Sequence, residues 1–242
     1  MSWTRFSICR TSSEKSLWRM PILKRSECCC PNNGTRYPTF SNASVEEFVF
    51  MIDHFRFAAP VYDRLLGPPD RRLVTRLLRL PARGMLLDAG GGTGRVSTHL
   101  RNWVDGLVVS DLSRPMLAEA VRKDLWAVSA AAECLPFPDA AFDRILVVDA
   151  LHHFRRQEVA VAEFARILKP GGRLLIEEPD LRRITARAVA LVEKLLLMHS
   201  RFHPPSAIIG MMHESGISGR IAANGFFRVW ITGDKPEQNP GT

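Results

Sequence analysis

Apolar residues in this chain fall into short runs separated by polar stretches with a helical spacing. The runs Met85-Leu86-Leu87, Leu107-Val108-Val109, Ile145-Leu146-Val147-Val148 and Arg173 to Glu177 are too short for packed helices. Each is bounded by turn or charged residues, which predicts strands buried on both faces. A further strand is expected near Trp126 to Ala131, and a last one over Gly225 to Ile231. Between the runs, apolar residues recur every three or four positions: Leu73, Leu77 and Leu80; Val96, Leu100 and Val104; Met116, Leu117, Ala120 and Val121; Val161, Phe164, Ala165 and Leu168. Ile184 to Met198 repeats that spacing, and Gly216 to Asn224 reads as a short helix. Pro81 and Gly84 stop the first helix, Ser113 stands as an N-cap before Pro115, and Lys169-Pro170-Gly171-Gly172 turns a helix into a strand. Strand and helix alternate, as in an α/β protein with a mostly parallel twisted sheet and helices on both faces.

The ends differ from this body. Residues 1–44 mix Ser, Arg, Cys, Pro and Asn with no period, and the reading there is a disordered extension. Residues 234–242 form a polar tail. The formal charge of +8 comes from basic residues scattered over helix faces, such as Arg71, Arg72, Arg76 and Arg79, and a solvated face explains them. Four of the five cysteines precede residue 31, three of them adjacent, without the spacing of a disulfide framework or a metal site. That points to a reduced, cytoplasmic protein. The most apolar stretch, Ala186 to Met198, is interrupted by Glu193 and Lys194 and is too short to span a bilayer.

The chemistry concentrates where the first buried strand ends. Asp88-Ala89-Gly90-Gly91-Gly92-Thr93-Gly94 is an acid followed by three alternating glycines, which let the chain turn sharply and let a ligand touch the main chain. The dinucleotide pattern G-x-G-x-x-G fails in both frames, because Arg95 or Ser97 stands where the third glycine belongs. Asp111 ends the next strand about 20 residues on, a position from which two carboxylate oxygens can accept both hydroxyls of a ribose. Asp149, His152 and His153 follow the fourth strand, at the edge where open α/β sheets bind ligands.

The string D-x-G-x-G-x-G from Asp88 to Gly94 resembles the cofactor loop of class I methyltransferases that use S-adenosylmethionine. Asp111-Leu112-Ser113-x-x-Met116-Leu117, the run from Ala132-Glu133 through Leu135-Pro136-Phe137 to Phe142-Asp143, and Lys169-Pro170-Gly171-Gly172 resemble later segments of its quinone-biosynthesis-type members, in order. Phe57-Ala58-Ala59-Pro60-Val61-Tyr62-Asp63 resembles their entry segment. The resemblance implies a Rossmann-like, seven-stranded fold over residues 45–233: lid helices at 45–80, a cofactor-binding core at 81–180, and a substrate-side helix with the final strand at 181–233. It implies S-adenosyl-L-methionine held by Asp88, Ala89, Gly90, Gly92, Gly94, Asp111, Leu112, Met116, Ala132, Glu133 and Asp149, with Tyr62 from the lid.

Ala131 departs from the pattern, standing where the family places an aspartate on the adenine amino group, so adenine recognition falls to the backbone of Ala132 and Glu133. No obligatory catalytic residue follows; His153 and His213 are the candidate bases, against the plainer reading of His153 as a loop-ordering residue. The paired Glu177 and Glu178 lack a third ligand for a metal. Residues 200–216, with Met211 and Met212, are where relatives contact substrate. The chain after Ile231 looks too short for the family's last antiparallel strand, and a less covered edge favours dimerisation or modest stability; a monomer or a homodimer is expected. The expected reaction is in-line methyl transfer to a small molecule, since neither the N-P-P-Y tetrad of nucleobase enzymes nor a Pro-Cys nucleophile is present. The alternatives are an RNA or protein methyltransferase, and a non-catalytic cofactor- or partner-binding protein.

Overall fold

The computed structural model describes residues 70–180, 200–225 and 228–237. The N-terminal extension, the lid segment with Tyr62 and the expected helix from Ile184 lie outside the described residues. Seven strands form one open sheet: β1 (Met85–Ala89), β2 (Gly106–Asp111), β3 (Trp126–Ser129), β4 (Phe142–Val148), β5 (Leu168–Pro179), β6 (Ser218–Asn224) and β7 (Arg228–Asp234). Their order is β3-β2-β1-β4-β5-β7-β6. The first five run parallel, and β7 pairs antiparallel with both β5 and β6. Four helices are described: α1 (Arg71–Leu77), α2 (Arg114–Arg122), α3 (Gln157–Ile167) and α4 (Pro205–Glu214).

Alternation along each strand divides the core in two. Leu87, Ile145, Val147, Leu174 and Ile176 face one side, where Phe164 and Ile167 of α3 and Ile208 and Met212 of α4 are buried. Leu86, Val109, Leu146 and Leu175 face the other, against Val74 and Leu78 at α1 and Leu117 and Ala120 of α2. Because the strands are covered on both faces, they read as near-continuous apolar runs. The chain turns from one face to the other at β1, so a crevice opens at the carboxyl ends of β1 and β4.

Five local expectations are corrected. The helix through Val96, Leu100 and Val104 is instead two 3₁₀ turns, Ser97–His99 and Arg101–Trp103, with Val104 extended. Ser97 donates its hydroxyl to Asp88 and Thr98 donates to the Arg95 carbonyl, local bonds that compete with a regular α-ladder. The short helix over Gly216 to Asn224 is the strand β6, and the final strand begins at Arg228 rather than Gly225. Gly216, at φ 77°, ends α4, and the following residues pair with β7 at six positions, with a shift of register between Ile221 and Ala223, so sheet formation overrides the helical preference of the alanines. The last hairpin is therefore complete, not shortened. Finally, Ser113 makes no side-chain cap; its amide donates to Asp111 Oδ1 at 2.7 Å, and its own hydroxyl is buried without a partner among the described residues.

At the opposite edge of the sheet, buried Arg173 donates to both carboxylate oxygens of Asp234 and to the Leu77 carbonyl, while Arg144 donates to the Leu78 carbonyl. Two cations thus satisfy the open carbonyls at the end of α1 and tie β7 to β5.

Candidate functional site

The glycine turn after β1 is pinned to β2. Gly90 and Gly91 both donate their amides to the Ser110 carbonyl, at 2.8 and 3.2 Å, and Gly92 donates to Asp111 Oδ2 at 2.9 Å. Gly90 sits at φ 70°, and a Cβ there would stand 2.5 Å from the Cβ of Ala150, which has no rotamer to escape into. A Cβ on Gly92, at φ 54°, would meet only Asp111 Oδ2, at 3.8 Å, so this glycine keeps the turn's backbone approachable.

A cleft opens beyond these strand ends, enclosing about 1040 Å³ with its mouth included. The turn supplies Asp88, Gly90, Gly91, Gly92, Thr93, Arg95 and Val96; the end of β2 and start of α2 supply Ser110, Asp111, Leu112, Ser113 and Met116. Ala130 and Ala132 follow β3, and Val148, Asp149, Ala150, His153 and Phe154 follow β4. Of the residues expected from the sequence, Ala89, Gly94 and Glu133 are not in the wall. Ala89 is fully buried in the sheet core, and Gly94 packs toward Leu125. Glu133 accepts the Arg156 amide through Oε1. His213 lies exposed near the end of α4, away from the cleft lining, and Met212 is buried in the core rather than in a substrate pocket.

The carboxylates in this wall differ in what satisfies them. Asp88 is buried, with Oδ2 accepting from the Ser97 hydroxyl at 2.6 Å and Oδ1 accepting from nothing among the described residues. Burial raises its pKa to about 6; the Ser97 bond works against this and Asp111 adds to it. Asp111 accepts the Gly92 amide on one oxygen and the Ser113 amide on the other, and burial raises its pKa despite these bonds and the further effect of the Leu112 amide. Asp149 pairs with Arg228 at 2.6 Å, and the same guanidinium nitrogen bonds Glu177, which lies just behind.

The Asp88 shift makes stability pH-dependent in a defined sense. The folded state holds the proton up to about pH 6 and the unfolded chain only to about 3.8, so unfolding releases a proton between the two and stability falls as pH rises through that window. Asp88→Asn is therefore expected to stabilise the protein without added ligand by about 2–3 kcal/mol at pH 8, but by only about half a kcal/mol at pH 4. Urea denaturation at both pH values checks this, and an equal gain at each would contradict it.

His152 and His153 are brought to different tasks. His152 is buried, with Nδ1 2.6 Å from Glu178 Oε2, and its ring stacks on Phe202 with centroids 4.5 Å apart. His153 lines the cleft, its Nδ1 3.3 Å from the Ser200 hydroxyl and its ring 4.0 Å from that of His152. Burial, then the neighbouring His152 charge, push the His153 pKa well below the ordinary imidazole value. The ring is therefore neutral at pH 7, and a weaker base than a free imidazole. Sequence reasoning missed Ser97, Ser200 and Arg228: each lies in an element with no motif of its own and reaches the site only through the fold. Among the described residues no three His, Cys, Asp or Glu side chains are grouped as a metal site, and no helix is long and apolar enough to cross a membrane.

Residues 87–176 match the family described as "Methyltransferase domain". A demethylmenaquinone methyltransferase of Thermus thermophilus is 37% identical over 139 residues, covering 51% of this chain and 63% of that protein. A malonyl-acyl-carrier-protein O-methyltransferase of Herminiimonas arsenicoxydans is 38% identical over 126 residues, covering 50% of this chain and 48% of that protein. The chain thus spans about half to two thirds of the length of these relatives. Among solved structures, a SAM-dependent methyltransferase of Thermotoga maritima, described as a possible histamine N-methyltransferase, superposes with a TM-score of 0.62 at 22% identity over 76% of this chain and 99% of that one. That likeness establishes the Rossmann-like methyltransferase fold.

Proposed function

We propose that this chain, whose residues 87–176 match the methyltransferase-domain family, moves the methyl group of S-adenosylmethionine onto a small-molecule acceptor. The observation that carries the reading is the pairing of carboxylates at the cleft: a buried Asp88 oxygen with no partner among the described residues, beside an Asp111 whose two oxygens are both anchored by backbone amides. Asp88 Oδ1 suits the ammonium of the cofactor's amino-acid part, which would satisfy a buried acceptor that is otherwise costly to leave unpaired. Each Asp111 oxygen keeps a lone pair for a ribose hydroxyl. Gly92 lets that ribose approach the backbone, and the side chains of Leu112, Met116, Ala130 and Ala132 offer an apolar wall to a flat base. With Ala131 outside that wall, the backbone around Ala132 is left to read the base edge.

Bound there, the cofactor supplies a methyl group already activated for displacement, and the protein's part is alignment and the exclusion of water. His153, by its place in the wall, is the side chain that would take the proton of an acceptor such as a phenol, quinol or amine. The names of the relatives favour a quinone-like or acyl-acid acceptor over nucleic acid. The cysteine spacing favours a cytoplasmic location. Calorimetric titration of the purified chain with S-adenosylmethionine is expected to give a dissociation constant on the order of micromolar. Turnover with a panel of quinols, phenols and amines should follow. Absence of binding would overturn the reading, and binding without turnover on any acceptor would favour a non-catalytic binding protein.

A further inference from the structure

Asp149 follows β4 into the wall of the cleft with its backbone at φ 50°, a left-handed conformation that costs a non-glycine residue of order 1–2 kcal/mol. The surroundings impose it. Its amide donates to the Glu177 carbonyl at 3.1 Å, and its Oδ2 accepts from Arg228 Nη1 at 2.6 Å. The same nitrogen bonds Glu177 Oε1, so one guanidinium from β7 serves two carboxylates from the ends of β4 and β5. Of the three, only Asp149 lines the cleft, where Arg95 of the glycine turn is a further charge. With both carboxylates ionised the three side chains sum to one net negative charge behind that wall, and to none once Glu177 takes a proton.

We infer that Asp149, Glu177 and Arg228 together read the charge on the ligand's sulfur, favouring the sulfonium of S-adenosylmethionine over the neutral thioether that remains after methyl transfer. The inference rests on the function proposed above. A cation in the cleft interacts with the cluster's net charge, whereas an uncharged sulfur does not, so only the methyl donor gains when the cluster is fully ionised. Burial, then the Asp149 charge, raise the Glu177 pKa to about 7, against the opposing effects of Arg228 and of Arg95 from the glycine turn. On the other face of β5, Glu178 turns to His152 and Leu151. By linkage, a bound sulfonium expels the Glu177 proton, and rising pH tightens its binding. The cluster thereby helps the spent cofactor leave.

Calorimetric titrations of the full chain with S-adenosylmethionine and S-adenosylhomocysteine at pH 6 and pH 8 test this. The two ligands share their nucleoside and amino-acid parts, and comparison with Glu177→Gln removes the titration of the ligands themselves. In the wild type, the ratio of the homocysteine to the methionine dissociation constant should rise about fivefold more from pH 6 to pH 8 than it does in Glu177→Gln. Asp149→Asn, which keeps Glu177 but removes one charge, should lower the ratio at pH 8. The same pH dependence in wild type and Glu177→Gln overturns the inference, as does an unchanged ratio in Asp149→Asn. Failure of the wild type to bind either ligand instead overturns the proposed function, on which the inference depends.

Discussion

Asp111→Ala is expected to lower the affinity for S-adenosylmethionine about 100-fold while leaving the sheet in place. Asp111 is the last residue of β2, and its ladder contact with Ser129 is made by the backbone, which alanine preserves. What the substitution removes is local. The Gly92 amide at 2.9 Å and the Ser113 amide at 2.7 Å lose their acceptors, so the glycine turn and the entry to α2 lose the side chain that holds both. The two proposed ribose contacts go with it, and hydrogen bonds to a charged group contribute about 1.5–3 kcal/mol each, without full additivity. Asp111→Asn should fall between: one oxygen remains, but the amide nitrogen faces a backbone N–H and cannot accept from it. Calorimetry beside a thermal melt separates loss of binding from loss of fold. Binding by Asp111→Ala within threefold of wild type, with an unchanged melt, would rule out this carboxylate as a cofactor anchor.

Glu178→Ala is expected to destabilise the fold by about 3–5 kcal/mol, the range for breaking a buried, hydrogen-bonded pair of ionisable side chains by removing one partner. Glu178 and His152 are 5% and 2% exposed in their side chains, so neither finds water when the other is gone. Glu178 also accepts the Leu151 amide through its second oxygen at 2.9 Å, and that donor would be orphaned too. The segment it holds carries Asp149 and His153 into the cleft wall, so the loss should reach cofactor binding as well as stability. Glu178→Gln keeps an acceptor for Leu151 and should cost less than alanine. Urea denaturation of both variants checks the ranking, and a loss below about 1 kcal/mol in Glu178→Ala would mean that the pair holds little of the fold together.

The adjacent glutamates show why such roles are hard to read from a sequence. Successive residues of a strand point to opposite faces, so Glu177 meets Arg228 and Asp149 while Glu178 meets His152. In the sequence they are simply two acids after an apolar run. Arg228 stands 51 positions from Glu177 and 79 from Asp149, in a strand whose register places it opposite Pro179. Nothing local marks it.

By itself, the sequence determined the parallel core of the sheet, because strands buried on both faces must be apolar runs, and the glycine turn, because close backbone approach excludes a Cβ at Gly90. It also placed Asp88, Asp111, Asp149 and His153 at strand ends, where an open α/β sheet forms its crevice. The tertiary structure alone decided the rest. Ser218 to Asn224 became an edge strand because β7 offered unpaired backbone groups to it, and the turns after Gly94 tightened because Asp88 was there to take the Ser97 hydroxyl. The wall of the cleft excluded Ala89, Gly94 and Glu133 and admitted His153 but not His213. In each case the deciding interaction joins residues distant in sequence, and its strength depends on burial that only the assembled fold provides.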